Sequence, residues 1–440
     1  MFEAQISASN VDSALDLGRE TEPKNEHSQQ NSHPPTNLMF VRNKNSEYTL
    51  CRRSRIRGIP PLGIGFLDIA NSGDFAANVF NHVPVPIYAI VLMAVGATVA
   101  LSMSLFAFSD LKSSWKNVKL LKEERTLLKA MDSDRAAELE LNHRDMGTEI
   151  FDRAGVDIAM GIGAFLIAAG TYMAIGGANH KVFVASNLLS GYIGNALPAV
   201  YGLCNVGWSI NVWIRAHKQI KAVYIHLQDG VTKDLLLRRG RRVQEHAILT
   251  AVVCLVSGAL SMVTPTHWWP YPVLLVCGLA FLHSTWIYKT QIGYERPLLT
   301  HDVHLDKATL IDEICFLQLV EEALRKDHNA WLALELTDLL VADLLTFVMR
   351  CGLFEALCCQ LLNESCVVKQ YFDAESTSTT VVSAQVLLLL DKLDQVTEIT
   401  GFAQLCLEQR GVEQITIRKR YLLEALGSCL LHHIETDRDG

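Results

Sequence analysis

The sequence predicts an all-α integral membrane protein with about five transmembrane helices, followed by a cytosolic all-helical C-terminal domain. Two observations carry this prediction. Half of the 440 residues are hydrophobic, and they occur in long blocks without charge; a hydrocarbon core about 30 Å thick requires about 20 such residues in a helix. Lysine and arginine are concentrated in alternate connections between these blocks, as expected for helices that cross a membrane repeatedly.

The N-terminal region carries no apolar block. Residues 1–58 are rich in Ser, Asn, Gln, Glu and His and predict a disordered tail, which ends in a short cluster of arginines. Residues 59–82 are partly apolar but are interrupted by Pro, Gly and Asp, so we expect an interfacial segment that leads into the membrane domain. No apolar core follows the first methionine, which argues against a secretory signal peptide.

The membrane domain is predicted to cover 83–289. Its apolar blocks place the five spans at 84–108, 155–177, 185–208, 247–263 and 270–288. Trp268 and Trp269 precede the last span, and Trp286 and Tyr288 end it. Aromatic residues at both ends of a span are typical of the membrane–water interface.

The basic residues in the connections predict the orientation. The connections 109–152 and 209–245 hold eight lysines and arginines each, whereas the other two connections together hold one, Lys181. Because short cytoplasmic connections carry the excess of lysine and arginine, we expect the N-terminus to be lumenal or extracellular and the C-terminus cytosolic. The sequence does not indicate which membrane the protein occupies.

Both basic connections predict helices. Residues 110–146 interleave acidic and basic side chains at helical spacing, which predicts a solvated helix continuing from the first span. Residues 209–228 continue the third span as an amphipathic helix with Arg215, Lys218 and Lys221 beside an apolar face. Such a helix suits contact with anionic lipid. Burial of the same face against the protein's own cytosolic domain is an alternative that the sequence supports equally well.

The C-terminal domain, 301–440, shows apolar residues at helical spacing in several stretches. It holds 23 acidic and 11 basic residues, whereas 209–245 holds eight basic and three acidic. These opposite balances suggest that the acidic domain docks on the basic connection. The same domain is the part of the chain that we expect to bind a cytosolic protein partner.

The third span, 185–208, differs from the others because polar and small residues interrupt it. On a helical wheel they fall within about a third of the circumference. This seam consists of Asn187, Gly191, Gly194, Asn195, Pro198, Gly202 and Asn205. The second span carries small residues on one face, among them Gly155, Ala159 and Gly163.

Two interpretations of the seam stay open. Small residues let helices approach closely in lipid, so spans two and three, joined by a short connection, are expected to form a tight antiparallel pair. Alternatively, Pro198 frees a backbone carbonyl and Asn195 lines a path for water or substrate, as in transporters with discontinuous helices. Packing is the favoured interpretation.

Reactive motifs are weak throughout. Cys351, Cys358, Cys359 and Cys366 lie on one helical face, where four sulfurs spread over about 22 Å cannot surround a single zinc ion. The polar residues of 301–306 and the paired histidines at 432–433 are read as surface features. Asn363 begins a glycosylation sequon on the predicted cytosolic side. We therefore expect no enzyme activity, cofactor, metal site or nucleic-acid partner.

The function predicted from these features is non-enzymatic. The leading prediction is a membrane-anchored scaffold, signalling or assembly component that acts through its cytosolic helical domain, with the lipid bilayer as its surroundings. The alternative is a small-molecule or lipid transporter or channel that uses the seam of the third span.

Overall fold

A computed structural model provides the structure of the protein. It describes residues 37–42, 48–50, 55–57, 86–131, 135–176, 179–299, 306–326, 334, 336, 340–364, 379–383 and 396–439. The chain forms two compact units. Unit 1 comprises Met1–Arg55 and Pro297–Leu422, and unit 2 comprises Ile56–Arg296 and Leu423–Gly440.

Unit 2 begins with long helices. Helix α1 runs from Ile87 to Ala130 and helix α2 from Ala136 to Gly147. A π-helical turn, Thr148–Gly155, joins α2 to α3, which covers Val156–Ala174. Alanine, leucine and methionine, which favour helix, dominate α1, and no proline interrupts it. The predicted continuation of the first span as a helix is therefore present.

The second half of unit 2 repeats this use of π-helical turns. Helix α4, His180–Ser186, and the π-helical turn Asn187–Ile193 lead into α5, Gly194–His226. Helix α6 covers Val231–Ser261. Helix α7 covers Pro270–Ile287, begins with proline at its first position, and ends in a third π-helical turn, Tyr288–Ile292.

Four helical stretches are long and apolar enough to cross a membrane among the residues that the structure describes. They are Ile87–Ala130, Ala136–Ala174, Val231–Ser261 and Pro270–Ile292. These stretches contain most of the first, second and fourth predicted spans and all of the fifth. The predicted third span, 185–208, is helical but is not among them, since Asn, Gly and Pro interrupt its apolar sequence.

The outer face of α1 is apolar where the helix would meet lipid. Ile87, Val95 and Phe106 are exposed by more than half of their surface. Their inward neighbours, such as Met93 and Ala97, are fully buried. Water disfavours such an outer face and hydrocarbon does not, so the helices suit integral membrane placement.

Past its apolar part, α1 does not become a solvated helix. Ser114, Asn117, Leu121, Glu124 and Leu128 are buried in unit 2. They recur at spacings of three and four, which places them on one helix face. The prediction of a solvated helix over 110–146 is therefore wrong on that face. Only the opposite face of the helix, with its alternating charges, is exposed as predicted.

Unit 1 combines helices with a small sheet. Its helices are α8 (Lys307–Lys326), α9 (Val341–Arg350), α10 (Phe354–Glu364) and the part of α11 before Leu423, α11 as a whole being Val396–Asp439. Strands β1 (Asn37–Arg42), β2 (Tyr48–Leu50) and β5 (Thr379–Ser383) form an antiparallel sheet in the order β2-β1-β5. Phe40 pairs with Leu50 on one side and with Thr380 on the other.

Two short strands, β3 (Arg55–Arg57) and β4 (Glu295–Pro297), pair with each other. Strands β1, β2 and β3 therefore lie within the predicted disordered tail 1–58. Residues 1–36 of this tail and the predicted interfacial segment 59–82 lie outside the described residues. The C-terminal prediction of helix alone is wrong at β5, where Thr-Thr-Val-Val-Ser is rich in β-branched residues. Gly352, at φ 75°, separates α9 from α10.

Candidate functional site

The predicted seam lies on the inward side of α5 and of the π-helical turn before it. Asn187 and Pro198 are half-buried. The other seam residues are buried, namely Gly191, Gly194, Asn195, Gly202 and Asn205. The opposite face is exposed, since Leu188, Val200 and Leu203 each present more than half of their surface.

Helix α3 lies close against the seam. A Cβ atom added to Gly163 would stand 2.9 Å from the carbonyl oxygen of Gly194 and 3.0 Å from Cγ of Pro198. A Cβ atom on Gly155 would stand 2.7 Å from Cε2 of Tyr201. Ala159, between these glycines, is buried. The small residues predicted in the second span therefore face the third.

Helix α6 and the turn after it contact the same seam. A Cβ atom on Gly202 would stand 2.9 Å from the carbonyl oxygen of Cys254, and one on Gly191 would stand 2.9 Å from Cγ of Pro265. Backbone atoms cannot move away as a flexible side chain can. Residues larger than glycine at position 202 would thus require α5 and α6 to separate.

The asparagines of the seam are only partly satisfied. Asn195 donates from Nδ2 to the carbonyl of Gly191 at 3.0 Å and to Oγ1 of Thr264 at 3.4 Å. The Oδ1 atoms of Asn187 and Asn195 are buried and accept no hydrogen bond from the described residues. Buried amide oxygens ordinarily have a partner, so these two atoms are what favours the pathway interpretation.

A second polar group lies where α1 passes the first π-helical turn. Arg153 donates from Nη2 to Oδ1 of Asp110 at 2.7 Å and forms an ion pair with Glu149 at 3.2 Å. Glu149 also accepts from Ser114 at 2.9 Å and from Asn117 at 3.2 Å. The helical turn places Glu149 and Arg153 on one side, where both reach α1.

A third group, here named the arginine cluster, surrounds Glu424 with Arg144, Arg215 and Arg239. The carboxylate of Glu424 lies 3.1 Å from Nη2 of Arg239, 3.3 Å from Nη1 of Arg144 and 3.5 Å from Nη2 of Arg215. Glu424 and Arg239 are buried, and the three arginines come from α5, α6 and α2. The C-terminal part of α11 is thereby fastened to three helices of unit 2.

The electrostatics of the arginine cluster favour a charged carboxylate. Burial alone would raise the pKa of Glu424, but the positive charges of Arg144, Arg239 and Arg215 outweigh it and lower the pKa to about 2. Arg215 contributes one further contact, from Nη2 to Oγ of Ser428 at 2.9 Å. A buried charge left without its partners is strongly unfavourable, so the cluster is stable only as a complete set.

A further ion pair adjoins the arginine cluster. Arg296, fully buried, binds both carboxylate oxygens of Glu124 at 2.7 and 2.8 Å and contacts Asp145 at 2.5 Å. Burial alone would lower the pKa of Arg296, but the charges of Asp145 and Glu124 raise it well above its ordinary value. The Tyr294 hydroxyl donates to Asp145 at 2.6 Å and accepts from Arg144 at 2.9 Å, which joins the two groups.

A cavity of about 590 Å³ lies beside the arginine cluster. Arg144, Arg215 and Glu424 line it, and Arg125, Lys218 and His143 add further polar side chains. All of these residues belong to unit 2. The arrangement offers guanidinium and ammonium donors to an anion, and none of the described residues that line it is a serine, threonine or cysteine.

The sequence analysis missed the arginine cluster, although one signal existed. Glu424 stands alone among apolar residues in the stretch Tyr421–Leu431, where a helix with apolar residues all round predicts burial. A single carboxylate in such a helix requires a buried cation as its partner. The opposite charge balances predicted that the acidic domain 301–440 docks on the basic connection 209–245. Glu424 contacts Arg215 and Arg239 within unit 2, and docking of the whole domain stays a prediction.

Among the other residues singled out by the sequence, His432 lines the cavity. Cys351 and Cys358 are buried in unit 1, and burial raises the pKa of the Cys351 thiol to about 12. Asn363 exchanges hydrogen bonds with the backbone of Tyr48. Cys366 and residues 301–305 lie outside the described residues. Within the described part, no three His, Cys, Asp or Glu residues are grouped as a metal site.

Comparison with known protein families, with curated proteins and with solved structures gives no match.

Proposed function

We propose that this chain is a multi-pass membrane protein that acts as a scaffold, signalling or assembly component through its cytosolic helical region. The observation that carries the proposal is the burial of Glu424 among Arg144, Arg215 and Arg239. Helix α11 contributes the carboxylate, and helices of the predicted membrane domain contribute the arginines. Such a connection lets the membrane helices and α11 respond to each other, as a scaffold or signalling component requires.

The contacts of the seam support this function over transport. A Cβ atom added to Gly163 or to Gly202 would stand 2.9 Å from a backbone carbonyl oxygen of a neighbouring helix. Space for a substrate is lacking at those points. In lipid, close approach of small residues is a general means of holding helices together.

The topology belongs to the same proposal. We place five spans in the membrane, with 185–208 as the third, the N-terminus lumenal or extracellular and the C-terminus cytosolic. The distribution of lysine and arginine over the connections supports this orientation. The exposed apolar face of α5, with Val200 and Leu203, supports a position of this helix against lipid.

Contact of 209–228 with anionic lipid is also proposed. Ile210, Ile214 and Tyr224 are exposed, and Lys218 and Lys221 are exposed on the same helix. On the same predicted apolar face, Val223 and Leu227 are buried, and Trp213 and Ile220 are half-buried. The helix would thus pack on the protein with one side and meet headgroups with the other.

Transport or channel activity is the second candidate. The observation in its favour is the pair of buried Oδ1 atoms, on Asn187 and Asn195, that accept no hydrogen bond from the described residues. Water or a polar substrate would satisfy both atoms.

Cysteine accessibility distinguishes the two functions. In a variant without native cysteines, Asn187→Cys, Asn195→Cys and Gly202→Cys would be treated from either side with a membrane-impermeant thiol reagent. Leu188→Cys and Val200→Cys serve as controls on the exposed apolar face. We expect no labelling at 195 or 202, because the seam is packed. Labelling of Asn195→Cys with silent controls would establish a water-filled path and replace the scaffold proposal with transport.

A further inference from the structure

We propose that the cavity beside the arginine cluster binds a phosphate-bearing anion, either the headgroup of a phosphorylated lipid or a soluble phosphorylated molecule. The inference concerns a ligand site and goes beyond the scaffold proposal. It also holds whether the seam is packed or water-lined, since the cavity and the seam share no residue.

The first argument is the charge of the lining. Four permanently charged cations line the cavity, Arg125, Arg144, Arg215 and Lys218, against two carboxylates, Glu140 and Glu424. The carboxylates are engaged with arginines: Glu140 lies 3.1 Å from Nε of Arg215, and Glu424 lies within the arginine cluster. The walls therefore carry two positive charges in excess, which favours an anion inside.

The second argument is the presence of free donors. Among the residues that the structure describes, Arg125 and Lys218 form no ion pair and no side-chain hydrogen bond. Arg215 is about nine-tenths buried, with a side-chain exposure of 13%, and its Nη1 has no hydrogen-bond partner among the described residues. Buried guanidinium donors without a partner are unfavourable. A phosphate oxygen would satisfy Nη1 and neutralise the excess charge.

The third argument is the position along α5. The predicted third span ends at Trp208, which lines the cavity, and the lining residues of α5 end at Gln219. At 1.5 Å per residue, this part of the helix extends about 16 Å beyond the span. The headgroup layer adds about 5–8 Å on each side of the hydrocarbon core, so the end of the cavity near Trp208 lies at its level. Basic pockets between helices at this level suit phosphorylated headgroups.

The size and chemistry of the cavity agree with this ligand class. Its volume, about 590 Å³, lies within the range of about 300–1,000 Å³ that is usual for small-molecule sites. Guanidinium groups match phosphate because their N–H donors form paired hydrogen bonds with its oxygens. An inositol phosphate, free or lipid-linked, is the natural probe.

The test measures binding to the full-length protein by native mass spectrometry in neutral detergent. The probes are phosphatidylinositol 4,5-bisphosphate, soluble inositol trisphosphate and phosphatidylserine, with phosphatidylcholine as the uncharged reference. The variant Arg125→Gln/Lys218→Gln removes the two unpaired cations and leaves the arginine cluster intact. Its matched control, Lys122→Gln/Lys221→Gln, removes two exposed lysines from the same two helices, one turn or less away and outside the cavity lining.

We expect the wild type and the control to bind an inositol phosphate alike, and the cavity variant to lose at least about tenfold in affinity, because two charged contacts are removed. Loss for both probes would identify a site for the phosphate group itself, whereas loss for the lipid alone would identify a headgroup that also requires its acyl chains. Failure of the wild type to prefer either probe over phosphatidylcholine would overturn the proposal. Equal losses in the two double variants, or equal binding of phosphatidylserine, would overturn it as well, since general surface charge would then be the cause.

Discussion

The two parts of helix α5 bury their inward faces by different interactions. From Gly194 to Asn205, the inward face is neutral, and close approach of glycine to neighbouring backbone holds the helices together. From Ser209 to His226, the inward face includes Arg215, which contacts the buried carboxylate of Glu424 and the partly exposed carboxylate of Glu140. The first part needs no charge, and its partners, such as Thr264, lie 69 residues away or less. The second part depends on Glu424, more than 200 residues away.

Because of this difference, different substitutions are expected to destabilise the two parts. Packed glycines tolerate loss of a polar atom but not an increase in volume. The arginine cluster tolerates little change of charge, because each buried ion is compensated by the others. The predictions below separate these two modes of burial.

The largest effect is expected for Glu424→Ala. The substitution leaves Arg144, Arg215 and Arg239 without their shared carboxylate, and removal of one partner from a buried ion pair costs about 3–5 kcal/mol. Denaturant titration of the protein in detergent micelles would measure the change in the free energy of unfolding.

The control for this prediction is Glu408→Ala on the same helix. Glu408 is exposed and bonded only to Gln404 among the contacts described for it, so its loss should change stability by less than about 0.5 kcal/mol. Equal effects at 408 and 424 would show that the arginine cluster does not hold α11.

An intermediate effect is expected for Gly202→Leu in the seam. The added side chain meets the carbonyl oxygen of Cys254, since a Cβ atom alone would lie 2.9 Å away. Overpacking of this kind costs about 1–3 kcal/mol. Gly207→Leu is the matched control on the same helix, because no atom lies within 4 Å of a Cβ atom added there.

Thermal unfolding of both glycine variants in detergent would be compared with the wild type. We expect a lower midpoint for Gly202→Leu only. An unchanged midpoint at 202 would mean that α5 and α6 are free to separate, which is the behaviour of a pathway rather than of a packed helix pair.

The smallest effect concerns pH. The pKa of Glu424 is lowered from 4.5 to about 2, so its stabilising contribution is complete above pH 4.5 and is lost as the pH falls toward 2. Between pH 6 and pH 3.5 the loss is on the order of 1 kcal/mol. Glu424→Gln cannot titrate at this position and should show a flatter dependence of stability on pH than the wild type over that range. Parallel curves for the two proteins would exclude Glu424 as a source of acid sensitivity.

The sequence allowed the apolar architecture to be predicted better than the charged one. Uncharged blocks of about 20 residues identify helices by length and composition alone, and the four stretches suited to cross a membrane contain four of the predicted spans, wholly or in large part. The seam could also be predicted, because its side of the helix follows from a period of 3.6 residues.

The ion pairs could not be predicted, because their partners are far apart in the chain. Glu124 and Arg296 are separated by 172 residues, and no local pattern links them. The helical spacing of acidic and basic residues predicted that the charged side chains of 110–146 are exposed to solvent. Glu124 and Asp145 are buried instead. The local sequence does not distinguish a charged side chain that is solvated by water from one that is buried in an ion pair.

The π-helical turn Thr148–Gly155 has a consequence for the rotational register of the second predicted span. A turn bonded from i to i+5 holds one residue more than an α-helical turn, and one residue corresponds to about 100° around the axis. Helix α2 directs Arg144 and Asp145 toward the buried charges, and α3 directs Gly163 toward α5. The extra residue rotates α3 relative to α2 about the helix axis. If one residue were deleted from the turn, either Arg144 and Asp145 would keep their buried partners or Gly163 would still face α5, but not both.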